Sequence, residues 1–177
     1  MITDSGALQD GTQWHYVVLQ NQSNWASHEP FRRNAHFYAR KLANEINATG
    51  AVPVIFITWP KKKGTTHYRQ HPYLKNFATS YRDLNVYSAQ LAKMLNAQTV
   101  PVNDYWLSAL QNYSNIELYE KDGTHPSLAG SYLSALAFYK FFTGEALQNP
   151  SLSVKKLNTQ TTKALQDTVA NALPSTK

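Results

Sequence analysis

Cysteine is absent from this 177-residue chain. Disulfides, thiolate nucleophiles and cysteine-ligated zinc are thereby excluded, while a cytoplasmic or a periplasmic location both stay open. No apolar run approaches the ~18 residues of a membrane span, so no membrane partner is expected. No charged-then-apolar segment opens the sequence, which decides nothing about export. Acidic residues are scarce, 11 against 17 basic ones, for a formal net charge of +6. An acidic partner could exploit that excess, but the charges are scattered. Their one cluster, Lys61-Lys62-Lys63, reads as a solvated turn, and no nucleic-acid partner is expected. Internal repeats and low-complexity tracts are also missing.

What remains is enough for one packed domain, with 42% hydrophobic residues. Eleven tyrosines and four tryptophans fall partly in loops at strand ends, where aromatic rings stack on sugars or acyl groups. Trp14 to Gln20 reads as a short apolar strand running into the polar Asn21-Gln22-Ser23-Asn24. Glu29-Pro30 opens a helix to about Asn47, with Phe31, Ala35, Tyr38, Leu42 and Ile46 at helical spacing. Val52 to Thr58 is a β-branched and aromatic run suited to a strand covered on both faces. Pro60 to Pro72 is a polar loop of the kind that overhangs strand ends. A helix over Tyr81–Asn96, a strand over Thr99–Val102, a helix over Asp104–Asn112 and one from Ser127 to about Phe142 follow. Strands alternating with helices require crossovers, hence a parallel sheet with its polar groups at the carboxyl ends of the strands. The domain is expected to span 1–148. Residues 149–177 read as a linker and an appended amphipathic helix within Lys155–Leu173.

The densest chemistry lies in Asp122-Gly123-Thr124-His125-Pro126-Ser127. A carboxylate three residues before a histidine lets one turn hold both, with the carboxylate on one ring nitrogen and the other left as a general base. Gly123 permits the turn and Pro126 starts the following helix. His67 and His71 stand four apart without a carboxylate in the pattern, so no metal site is expected.

The Asp122–Ser127 block, followed by Gly130-Ser-Tyr-Leu-Ser-Ala-Leu136, resembles the last block of the SGNH (GDSL-like) hydrolases. Tyr16-Val-Val-Leu-Gln20-Asn-Gln22-Ser23-Asn24 resembles their third block, in the branch with Gln that includes sialate O-acetylesterase-like proteins. The stretches Gly50–Trp59 and Val100–Trp106 fit the strand positions between, so the likeness runs from about residue 14 to 144. It implies a three-layer αβα fold with a flavodoxin-like parallel sheet. His125 would be the general base and Asp122 its orienter. The oxyanion donor would be Gln20, by register with a Gln-Gly-Glu-Ser pattern, or Gln22, by register with Gly-x-Asn-Asp. Trp59 and Ser23 would line the substrate pocket, with Tyr68 and Tyr119 as further candidates. The implied reaction is serine-dependent hydrolysis of small acyl esters, such as O-acetyl groups on carbohydrates, without metal or organic cofactor.

The chain departs from that pattern at its start. Family members carry a nucleophilic serine after the first strand, in a Gly-Asp-Ser-like elbow. Thr3-Asp4-Ser5-Gly6 imitates it, but Met1-Ile2 is too short for the strand an elbow needs behind it. The expectation is an acetylesterase-like scaffold truncated at the N-terminal side, with base, orienter and oxyanion donor but no nucleophile. Loss of that strand would expose Val17, Val18, Ile55 and Ile57 and allow self-association through the sheet edge. The alternative is a non-catalytic carbohydrate-binding or interaction protein on the same scaffold.

Overall fold

Three short parallel strands with helices on both faces carry the polar loops. The computed structural model describes residues 13–147 and 152–171. The strands β1 (Tyr16–Gln20), β2 (Val52–Phe56) and β3 (Gln98–Val100) lie in the order β1-β2-β3. Tyr16 stands opposite Val52, and Val54 opposite Gln98. Helix α1 (Glu29–Ala48) joins β1 to β2; the short α2 (His67–Gln70) and the long α3 (Phe77–Leu95) join β2 to β3. Beyond β3 come α4 (Val102–Asn112), α5 (Leu128–Thr143) and α6 (Thr159–Asn171).

Side-chain alternation along the strands sorts the core into two halves. Ile55 and Ile57 point toward α1 and α3, meeting Ala35, Ala39 and Ala43 on one helix and Leu84, Leu91 and Leu95 on the other. The alanine row lets α1 lie close to the sheet. Val54 and Val100 face the opposite side, against Trp106 of α4, Leu133 and Leu136 of α5, and Leu165 and Val169 of α6. The result is the expected three-layer αβα arrangement. Among the described residues no helix is long and apolar enough to cross a membrane.

Pro53 sits inside the central strand without loss of a ladder bond. Val52 donates to the His15 carbonyl on the β1 side and Ile57 to that of Val100 on the β3 side. The nitrogen of Pro53 therefore faces β3, which begins only opposite Val54, so the missing N–H has no acceptor to disappoint.

Several boundaries differ from the sequence reading, each for a local reason. The first strand starts at Tyr16, because the ladder opens with the Val52 bond to His15. Helix α3 begins four residues before Tyr81, since the Asn76 side chain accepts from the Thr79 N–H at 2.9 Å and caps it there. The third strand is Gln98–Val100 and stops short of Val102, which already belongs to α4. The 60–72 segment contains α2, continues into a tight turn at Pro72–Leu74, and is pinned by the buried Leu74.

Of the four apolar residues expected to be exposed, only Val18 is. Val18 is 39% exposed and Val17 half-buried, but Ile55 and Ile57 are covered. They lie on and just after the central strand, beneath α1 and α3.

Candidate active site

The turn before α5 is built from the carboxylate outward. Asp122 Oδ1 accepts the backbone N–H of Thr124 at 2.8 Å and of His125 at 2.9 Å. Its Oδ2 lies 2.5 Å from His125 Nδ1. One carboxylate thus shapes the turn and fixes the imidazole together. These bonds, the His125 side chain first and then the two N–H groups, hold the Asp122 carboxyl well below the usual carboxylate range. With Nδ1 engaged, Nε2 is the nitrogen left to exchange a proton with a ligand. The His125 side chain is 73% exposed, and no described residue hydrogen-bonds Nε2.

Gly123 is required twice over. Its φ is +66°, and a Cβ there would stand 2.4 Å from Thr65 Cγ2. The turn closes through the Gly123 N–H to the Glu120 carbonyl and the Glu120 N–H to the His125 carbonyl. Pro126 bridges to Tyr119 instead of opening the helix. The cap of α5 is Ser127, whose Oγ accepts the Gly130 N–H at 3.2 Å and donates to the Glu117 carbonyl at 2.7 Å.

The loop after β2 clamps this turn from the side. Trp59 donates its indole N–H to the Thr124 carbonyl at 3.0 Å and stacks on Trp106 at 4.0 Å. Trp59, named above as a pocket-lining candidate, is half-buried, packs against the core cluster and tethers the base-bearing turn to the end of β2. The Lys62 N–H donates to the Gly123 carbonyl, and Lys62 Nζ pairs with Glu117. His67 Nε2 lies 2.9 Å from Thr124 Oγ1 and 3.2 Å from the Asp122 carbonyl. Tyr68 and Tyr119 donate their hydroxyls to the backbone carbonyls of Lys61 and Pro60. Burial raises both hydroxyl pKa values, that of Tyr68 to about 12. Lys61 is buried, contrary to the solvated turn expected for the lysine run. Its desolvation lowers its pKa, and the Asp122 carboxylate partly opposes that shift.

His67 is the bracing residue that sequence reasoning missed as such. Its partner Thr124 lies 57 positions away, and only the threonine inside the Asp-Gly-Thr-His turn hinted that a side chain must meet it there.

The two glutamines occupy the neighbouring strand end. Gln20 closes β1 opposite Phe56, and Phe56 touches Trp59. By alternation Gln20 shares its sheet face with Phe56, the face that carries α5. Gln22 precedes the tight turn Ser23–Ser27. Both glutamine side chains are exposed, Ser23 is half-buried, and none of the three bonds to a described side chain. Next to Gln20, Asn21 Nδ2 donates to the Tyr87 hydroxyl at 3.2 Å, which pulls that residue toward the α3 side. Ser5 lies outside the described residues. Among the described residues no group of three or more histidine, aspartate or glutamate side chains could hold a metal ion.

No family model and no curated protein matches the chain. Solved structures do. One is a DUF4886 family protein from Bacteroides uniformis ATCC 8492, with a TM-score of 0.78 at 19% identity, covering 94% of this chain and 64% of that one. Another is a proposed SGNH hydrolase from Slackia heliotrinireducens, with a TM-score of 0.63 at 28% identity, covering 77% of this chain and 70% of that one. The fold is SGNH-like. In this SGNH-like scaffold the Asp122–His125 turn leads into α5, and Gln20 sits at the carboxyl end of β1. The chain spans less than two thirds of the Bacteroides protein's length.

Proposed function

We propose that this protein carries the base half of an SGNH-type serine ester hydrolase acting on small acyl esters, O-acetyl groups on carbohydrates among them. The observation that carries the reading is the Asp122 carboxylate. It holds His125 Nδ1 at 2.5 Å while receiving two backbone N–H groups, and so presents Nε2 as the base. His125 takes the proton from a serine hydroxyl and returns it to the leaving alcohol; Asp122 favours the imidazolium formed between. Gln20 or Gln22 donates an amide N–H to the developing oxyanion, an interaction worth about 3–4 kcal/mol in comparable sites. Ester bond cleavage passes through an acyl-enzyme that water resolves.

On this reading the described residues supply no nucleophile: no described hydroxyl bonds to Nε2, and Ser5 lies outside them. The chain is therefore expected to hydrolyse p-nitrophenyl acetate no faster than background. An apolar strand ending in Gly-Asp-Ser, appended ahead of Trp14, is expected to create hydrolysis that His125→Ala lowers by at least about 100-fold. Robust hydrolysis by the chain itself that vanishes in Ser5→Ala would show that Ser5 is the nucleophile. Hydrolysis in the extended chain that is indifferent to His125→Ala would refute the base assignment.

A further inference from the structure

We propose that His67 is a positioning residue for the base, bridging Asp122 to Thr124 across Gly123 so that the Asp122 carboxylate stays on His125. The inference rests on the reading of His125 as base and Asp122 as its orienter. The need for such a residue arises at Gly123. A glycine is about as comfortable at negative φ as at the +66° it adopts here. The residue that permits this turn therefore does not hold it. Rotation at Gly123 would swing the Asp122 carboxylate away from the imidazole, because only Gly123 and Thr124 separate the two residues along the chain.

The peptide groups on both sides of the glycine are held. Its N–H donates to the Glu120 carbonyl at 2.9 Å, and its carbonyl accepts the Lys62 N–H at 2.8 Å. The Asp122 carbonyl lies 3.2 Å from His67 Nε2, and the same nitrogen lies 2.9 Å from Thr124 Oγ1. One imidazole thus joins the residue before the glycine to the residue after it, and a flip at Gly123 would have to break that span. His67 is itself fixed by its place in the loop. It opens α2, whose turn closes through the Gln70 N–H to the Thr66 carbonyl and the His71 N–H to the His67 carbonyl. The neighbouring Tyr68 hydroxyl donates to the Lys61 carbonyl at 2.6 Å. Thr65, from the same loop, fills the space a Cβ on Gly123 would need.

The same contacts decide which ring nitrogens carry protons. A backbone carbonyl only accepts, so His67 Nε2 is the donor to Asp122. The Asp122 carboxylate also only accepts, so His125 carries its proton on Nδ1. The two histidines are therefore held in opposite tautomers, the brace as Nε2–H and the base as Nδ1–H. An imidazole that merely packed beside the turn would be under no such constraint. His71 supplies the contrast, since it belongs to the same loop but lies against Tyr73.

Long-range proton–nitrogen NMR on the full chain at neutral pH reads both rings and requires no serine. The parent is expected to show His67 as Nε2–H and His125 as Nδ1–H. In His67→Ala the His125 Nδ1 proton should exchange roughly 2- to 10-fold faster, the worth of one hydrogen bond. The Asp122 carboxyl midpoint, held low in the parent, should rise toward the ordinary aspartate range. His67→Gln should restore both signals, because its amide N–H reaches about as far as Nε2. Thr124→Val should fall between, since the bond to the Asp122 carbonyl survives it, and His71→Ala should change neither signal. In the serine-bearing version His67→Ala should lower kcat by a similar factor with KM unchanged. An Nδ1–H tautomer at His67, parent-like signals in His67→Ala, no rescue by glutamine, or an equal effect of His71→Ala would each overturn the proposal. Hydrolysis indifferent to His125→Ala would instead overturn the base reading, while the ring and carboxyl signals still decide whether His67 holds the turn.

Discussion

Asp122 carries two jobs on one carboxylate, and its titration exposes both. Its folded pKa lies below the unfolded value of about 3.9. The stability it contributes is therefore complete above about pH 4 and is lost as pH falls through the folded value. A carboxyl carbon-13 titration should place the Asp122 midpoint below the ordinary aspartate range. A midpoint at or above that range would mean the His125 and backbone bonds are not holding the anion in solution. Asp122→Asn keeps an acceptor for both N–H groups but cannot titrate, so it should remove this part of the acid-limb loss. In a serine-bearing version it should lower kcat by up to about 10⁴-fold, because the imidazole loses the group that fixes its tautomer. The Asp122–His125 pair was legible in the sequence because both partners lie within one turn. His67, Lys62 and Trp59 were not legible as its clamp, since each reaches the turn across more than fifty residues.

At the scale of elements, α5 is seated by a glycine that its neighbours leave no room to replace. A Cβ on Gly130 would meet the Leu118 carbonyl at 2.3 Å and Trp106 Cη2 at 2.5 Å. The carbonyl belongs to the backbone that bonds Ser127, and Trp106 is fully buried and stacked on Trp59. Neither can move without disturbing the turn. Gly130→Ala should therefore destabilise by about 1–3 kcal/mol despite the better helix propensity of alanine. At roughly 2–4 °C per kcal/mol for a chain of this size, the shift in Tm is measurable by thermal melting. An unchanged or raised Tm would mean that α5 does not approach the Leu118 backbone so closely. The resemblance to the last SGNH block located this helix and marked its glycine. The tryptophan behind it could not be read from spacing, because contacts between α4 and α5 have no period along the chain.

For the whole molecule, α6 decides how far cooperativity extends. Leu165 and Val169 are fully buried in the same cluster as Trp106 and Leu133. Gln166 donates to the Tyr132 hydroxyl at 3.1 Å, and Lys140 Nζ to the Val169 carbonyl at 2.6 Å. A helix held this way should unfold with the body. Leu165→Ala is expected to lower global stability by about 2–5 kcal/mol. Tryptophan fluorescence and far-ultraviolet dichroism should still report one coincident transition. An early, separate loss of helical signal would show that α6 detaches on its own.

The alternation of apolar strands with amphipathic helices determined the layers by itself. Buried β-branched runs and helical stripes have no other low-energy packing than helices on both faces of a parallel sheet. The Asp-x-x-His turn was likewise written locally, in a carboxylate, a left-handed glycine and a histidine within four residues. Tertiary structure alone decided the rest. It tied Trp59 to the Thr124 carbonyl, buried Lys61 beside Asp122 and set His67 on Thr124. Each of these depends on which distant segments meet at the carboxyl ends of the strands. Local propensity carries no information about such meetings, because they are fixed by packing across the sheet.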